Sequence, residues 1–297
     1  MQFFFEVLLG GLLSGVMYSL VALGFVLIYK ASGVFNFAQG SRVFFAALTF
    51  VSLTERGWNF WLALVVTLAV MVALGIATER IVLRPLVNQP PITLFMATIG
   101  LTFVLEGLSQ LIWGSQPHGL ELGIPDVPME WLSQKWNVNI SQFDLFAAFV
   151  AGGLVTVLAL MFQKTRIGRA LRAVADDHQA ALAVGIPLQQ IWGIVWSVAG
   201  FVALVAGLLW GARNGVQYAL TFLALKALPV LILGGFESIQ GAIIGGLIIG
   251  ATEKLAEVYL GPLVGGGIES WFAYVVALLF LLARPEGLFG EKHIDRV

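Results

Sequence analysis

Apolar residues occur in long, nearly uninterrupted runs, at 5–29, 58–82, 91–113, 143–162, 190–212, 240–259 and 270–283, and charged residues collect in the breaks between them. A helix needs about 20 predominantly apolar residues to cross the hydrocarbon core of a bilayer, so each run reads as a membrane span. Two shorter apolar stretches, 42–53 and 220–234, lie between the long ones. Each is either a full crossing, a tilted or broken helix, or a re-entrant segment. The predicted fold is all-α: a polytopic membrane helix bundle of about eight to nine transmembrane segments with broken or re-entrant helices, forming one transmembrane domain over residues 1–297.

Composition strengthens this picture. Hydrophobic residues make up 59% of the chain and charged residues 11%, against about 25% charged in ordinary soluble domains. Such a chain cannot cover a water-facing surface with polar groups. The 34 glycines suit close helix packing in lipid. The N-terminal Met1-Gln2-Phe3-Phe4-Phe5-Glu6 has no basic patch, so the first run reads as a retained span rather than a cleaved signal.

Lys and Arg set the orientation, because they concentrate in cytoplasmic loops. Arg80 and Arg84, then Lys164, Arg166, Arg169 and Arg172, then Arg284, Lys292 and Arg296 all fall inside if the N-terminus is outside and nine segments cross. Lys30 and Arg42 then fall inside too. The loop 115–142, with acids and a single Lys, falls outside and reads as an extracytoplasmic loop able to face a soluble receptor, with Asp126 and Glu130 as rim contacts. Trp113, Trp131, Trp136 and Trp210 read as an interfacial belt.

Residues 164–187 form a cytoplasmic loop with helical periodicity. Ile167, Ala170, Leu171, Val174, Ala181 and Leu182 share one face, while Arg166, Arg169, Arg172, Asp176 and Asp177 keep the others polar, and Gly185 and Pro187 supply a stop. A helix lying on anionic lipid fits this pattern. So does a docking element that transmits a partner's motion. The paired acids disfavour the lipid surface, and Gly168 with its neighbouring alanines suits close approach.

Four groups of residues resemble the branched-chain amino acid ABC permease family. The loop has Arg166-Ile167-Gly168-Arg169-Ala170, Arg172-Ala173, Ala181 and Gly185-Ile186. The N-terminal region has Gly11 through Gly15, Tyr18, Ala22-Leu23-Gly24 and Tyr29, followed by Phe35-Asn36-Phe37-Ala38-Gln39-Gly40. Further on come Leu225-Lys226-Ala227, Leu233-Gly234-Gly235, Ser238, Gly241-Ala242 and Gly245-Gly246, then Arg284-Pro285 and Gly287-Leu288-Phe289-Gly290. The resemblance spans nearly the whole chain in the family's order. It implies a multi-pass permease in the bacterial inner membrane, paired with a second permease subunit, two ATP-binding subunits and an extracytoplasmic substrate-binding protein. It also implies branched-chain or related small neutral amino acids as cargo, and it makes 164–187 a coupling-helix loop. One departure stands out: the family pattern continues with an acid where this chain has Ser41, followed here by Arg42.

Candidate pathway residues are the polar groups at membrane depth. Asn36 and Gln39 interrupt two apolar helices, either as a broken helix lining the path or as a turn whose amides satisfy backbone groups. Glu106 and Lys226 are ionisable groups inside apolar segments, where charge is costly. They pair, contact a zwitterionic cargo, find a structural partner or, for Lys226, snorkel to the interface. Glu253 and Lys254 read as solvated at a span end.

No catalytic residue, phosphate-cradling Gly-x-x-x-x-Gly-Lys-Ser/Thr loop or metal-ligand spacing occurs, and there is no cysteine. The chain is therefore expected to be a non-enzyme binding no cofactor itself, with ATP and Mg on the partner subunits. A net charge of −1 argues against nucleic acid as a partner. The competing expectation is a secondary transporter or channel for a small polar solute such as urea or an amide.

Overall fold

The computed structural model describes residues 2–86, 89–136, 138–176 and 178–290; Asp177 lies outside them, and the side chains of Pro91, Trp136, Asp176, His178 and Gln179 are not described. The helices are α1 (Gln2–Ser32), α2 (Gln39–Glu55), α3 (Phe60–Ala77), α4 (Pro91–Trp113), α5 (Glu130–Trp136), α6 (Gln142–Lys164), α7 (Arg166–Asp176), α8 (His178–Ala183), α9 (Leu188–Asn214), α10 (Leu223–Gly234), α11 (Ile239–Tyr259), α12 (Gly261–Val264) and α13 (Glu269–Ala283). Among the described residues, six helical stretches are long and apolar enough to cross a membrane: Gln2–Ser32, Phe60–Leu86, Ile92–Trp113, Gln142–Lys164, Leu188–Asn214 and Ile239–Tyr259. Tyr218–Gly234 and Glu269–Ala283 are shorter apolar helices. The chain is thus a polytopic helical bundle, and its all-α character follows the apolar runs of the sequence.

Local signals place the helix ends. Asn59 caps α3 by accepting the Trp61 amide at 2.9 Å, and Ser238 caps α11 by accepting the Gly241 amide at 2.9 Å. Such caps satisfy otherwise orphaned donors and are each worth about 1 kcal/mol. Helix α3 runs on through a π-helical turn, Thr78–Leu83, where Glu79 and Arg84 form a two-pronged ion pair at 3.0 and 2.9 Å. The two shorter apolar stretches resolve differently. The first is α2, 17 residues long and buried from Gln39 to Val51. The second is a 3-10 turn, Tyr218–Phe222, feeding the 12-residue α10, which runs through Pro229 without a break.

The chain divides into two compact units. One comprises Gly24–Leu122 and Leu158–Ala224. Its core is α2, which packs on α9, α3, α4 and the 3-10 turn. Small residues let the backbones close in: a Cβ at Gly207 would stand 2.7 Å from the Val43 carbonyl oxygen. Arg42 belongs to this core. It has no exposed surface, so it is not a cytoplasmic loop cation and carries no information about sidedness. Trp210 is buried as well, at 7% exposure, and is not part of an interfacial belt.

The other unit comprises Met1–Leu23, Gly123–Val157 and Leu225–Val297. Here Gly15 of α1 meets Gly246 of α11 at backbone contact, and Ser19 donates to the carbonyls of Gly15 and Ile243. Lys226 bonds Glu253 at 2.9 Å and lies 3.6 Å from Glu269, which Lys254 reaches at 3.1 Å. Tyr18 also donates to Glu253. Glu253 is only 2% exposed, so it is not a solvated helix-end residue. A buried carboxylate must be paired, and Lys226 meets that need instead of snorkelling alone.

Candidate functional site

The break between α1 and α2 is buried. Asn36 and Gln39 have no exposed surface. The Asn36 side-chain Oδ1 accepts the Ala38 amide at 3.1 Å, and its Nδ2 donates to Gln39 Oε1 at 3.4 Å. Gln39 in turn donates to the Ala199 carbonyl of α9 at 3.4 Å, while its side-chain amide nitrogen packs on Gly24. The amides therefore satisfy the local turn and also tie it to a neighbouring helix. Thr98 of α4 completes the enclosure, accepting the Phe37 amide at 3.3 Å and donating to the Phe35 carbonyl at 3.2 Å. Phe35 stacks on Phe25 at 4.9 Å, and Phe37 meets Phe95 edge-on at 5.0 Å. An open apolar depression of about 310 Å³ borders the break, lined by Tyr29, Gly33, Val34, Phe35, Ile92 and Phe95.

One turn further along α2, three elements converge on Glu106. Ser41 donates to Glu106 Oε1 at 2.9 Å and Tyr218 donates to Oε2 at 3.0 Å. Glu106 is 9% exposed, whereas Tyr218 is 43% exposed, so the carboxylate lies just beneath a reachable phenol. Gly40 makes the convergence possible, because the Thr221 carbonyl packs where its Cβ would be. Both partners of Glu106 are neutral donors, and no cation pairs with it among the described residues. Hydrogen bonds to a charged group contribute about 1.5–3 kcal/mol each, which offsets part of the cost of burial but leaves the charge uncompensated. A carboxylate therefore lies beside position 41 although residue 41 is itself a serine. The two-donor arrangement can receive a cation or a hydrogen-bond donor from a ligand.

Helices α7 and α8 are amphipathic as expected, but not with the expected faces. Leu171, Val174 and Ala181 are buried; Ile167, Leu182 and Val184 are exposed at 38%, 54% and 74%. Arg166 and Arg169 are exposed beside them. Gly168 is buried, and a Cβ there would run into the carbonyl of Phe162. It permits the sharp α6–α7 corner, not an outside approach. Arg172 is committed too: it donates to the Phe162 carbonyl at 2.5 Å and the Gln163 carbonyl at 3.3 Å, capping α6 as cations do at helix C-termini. The side chain of Asp176 and the whole of Asp177 are outside what is described.

Sequence reasoning missed Tyr218 and Ser41 as partners of Glu106. A buried acid announces that donors must exist, but not where along the chain they lie. It also missed the enclosure of Arg42, which the apolar residues directly after it, Val43 to Leu48, do signal.

Comparison with known proteins gives a consistent result. The family model described as the permease component of the branched-chain amino acid transport system matches residues 7–284. The chain is 28% identical over 311 aligned residues to the high-affinity branched-chain amino acid transport system permease protein LivH of Escherichia coli (strain K12), covering 99% of this chain and 98% of that protein. It is 28% identical over 305 residues to permease protein BraD of Pseudomonas aeruginosa, with the same coverage. It is 30% identical over 283 residues to the probable branched-chain amino acid transport permease protein LivH of Methanocaldococcus jannaschii, covering 91% and 88%.

Proposed function

The chain belongs to the family of permease components of branched-chain amino acid transport systems, the non-catalytic membrane subunits of ABC transporters, and from that premise we propose that it is the permease of an ATP-driven importer for branched-chain or related small neutral amino acids in a bacterial inner membrane. In this reading an extracytoplasmic binding protein delivers cargo to the outer side, where residues 115–142 form part of the docking surface. A second permease subunit completes the path. Two ATPase subunits bind ATP and Mg in the cytoplasm, and their motion enters through residues 164–187.

The observation that carries the proposal is the uncompensated Glu106 carboxylate beneath half-exposed Tyr218. Intramembrane carboxylates are expensive and mark solute paths. An amino acid supplies the ammonium group that Glu106 lacks. Asn36 and Gln39 hold the adjacent broken segment in shape, and broken helices recur at transporter sites. Lys226, already bridged by two carboxylates, serves as a neutralised tie within its own unit. Contact with the ATPase falls to Ile167, Leu182 and Val184 with Arg166 and Arg169, while Gly168 and Arg172 make the corner stiff enough to pass force to α6.

The test is reconstitution in liposomes with the ATPase subunits and binding protein. ATP-dependent accumulation of Leu, Ile or Val supports the proposal. Uptake by this chain alone, driven by a proton or sodium gradient and indifferent to ATP, overturns it in favour of a secondary transporter.

A further inference from the structure

Arg42 is the largest charged side chain with no exposed surface, and its electrostatics do not close. Its Nη2 donates to the Trp196 carbonyl of α9 at 2.7 Å, and its guanidinium carbon lies 5.2 Å from the centroid of the Trp196 ring. A Cβ at Gly200 would stand 3.0 Å from both Nη2 and the Met71 carbonyl, so a glycine there makes room for the cation. Nε and Nη1 have no partner among the described residues, nor has the indole nitrogen of Trp196. The hydroxyl of Thr67, one turn from Met71 on the buried stripe of α3, is also unpartnered. The buried acids described in this unit are engaged elsewhere: Glu79 with Arg84, Glu106 with Ser41 and Tyr218.

The guanidinium stays protonated at any physiological pH. Burying an ion costs several kcal/mol even after relaxation, and a desolvated cation–π contact returns only about 2 kcal/mol. The unpartnered nitrogens at this crossing are all donors. Donors around a fixed positive charge call for a negatively charged acceptor rather than a neutral one. Arg42 has no exposed surface and Trp196 only 1%, so the acceptor enclosed beside them must be small.

We propose that Arg42, with the Trp196 indole beside it, forms an internal site for a monovalent anion of halide size, and that the bound anion holds α2, α3 and α9 together. The site is separate from the Glu106 cluster, and it stands or falls independently of cargo and of ATP.

The test is thermal unfolding of the intact chain in detergent, in sodium chloride against sodium gluconate at equal ionic strength. Chloride at one hundred times its Kd raises the midpoint by about 5 °C, saturably, and bromide substitutes for it. Arg42→Met, which keeps the volume and removes the charge, abolishes the response. A native chain indifferent to chloride overturns the proposal, as does an Arg42→Met chain that responds as the native one does. Should Arg42→Met fail to fold, anomalous scattering from bromide in crystals of the native chain decides instead. A peak against the Arg42 guanidinium supports the site, and bromide found only elsewhere overturns it.

Discussion

Gly168→Ala tests how the α7–α8 arm is attached. Gly168 lies against the backbone of Phe162, and an added Cβ would fall within the carbonyl's contact radius and 2.6 Å from the Phe162 Cα. Backbone cannot rotate away as a side chain can, so α7 must swing outward. Overpacking of this kind costs about 1–3 kcal/mol. The swing also pulls Arg172 from the Phe162 carbonyl, 2.5 Å away, and a hydrogen bond involving a charged group is worth about 1.5–3 kcal/mol. The total, on the order of 2.5–6 kcal/mol, falls on one corner and leaves the apolar body of α6 untouched. The assay is paired: ATP hydrolysis and leucine uptake by the reconstituted transporter. Uptake falls at least about tenfold, a loss that needs only 1.4 kcal/mol of the available strain, while hydrolysis persists. Native uptake by Gly168→Ala refutes the reasoning. So does a loss of uptake that merely tracks a loss of membrane-inserted protein.

Three further outcomes are expected. Glu106→Gln lowers the maximal uptake rate without changing the binding protein's affinity for cargo, and the double variant Ser41→Ala/Tyr218→Phe approaches the same defect, measured by initial rates in liposomes. Asn36→Leu and Gln39→Leu each impair uptake more than Asp126→Asn in the 115–142 loop, since the first two remove buried bonds to Ala38 and Ala199; equal effects would reduce the break to an ordinary turn. Lys226→Met lowers the thermal midpoint more than Lys226→Met/Glu253→Gln together, because removing the lysine strands the buried Glu253 carboxylate. A double variant less stable than the single would show that the pair is not coupled.

The fold was largely legible because apolar run length is a direct consequence of bilayer thickness. Where legibility failed, the cause was three-dimensional. Residues 42–53 looked like a marginal span, yet α2 starts at Gln39 and is the most enclosed helix of its unit. Its shortness is tolerable because protein surrounds it. Arg42 read as a loop cation since rules on Lys and Arg count residues near span ends and do not see burial. Glu106 was recognisable as a costly charge, but Tyr218 lies 112 residues away and follows no motif. Gly168 was noticed for the right reason, close approach, and assigned to the wrong neighbour: Phe162 of the same chain rather than a partner.

The central claim is that an ATP-hydrolysing subunit grips the exposed side of α7–α8. The chain contains no cysteine, so Leu182→Cys, at a position 54% exposed, introduces a unique thiol. Cross-linking from that thiol in the assembled transporter is the most direct measurement. The expected result is a covalent adduct with the ATPase subunit whose yield changes between ATP-bound and nucleotide-free states. A thiol reactive only from the extracytoplasmic side, or one that joins no ATP-hydrolysing subunit in either state, would contradict it.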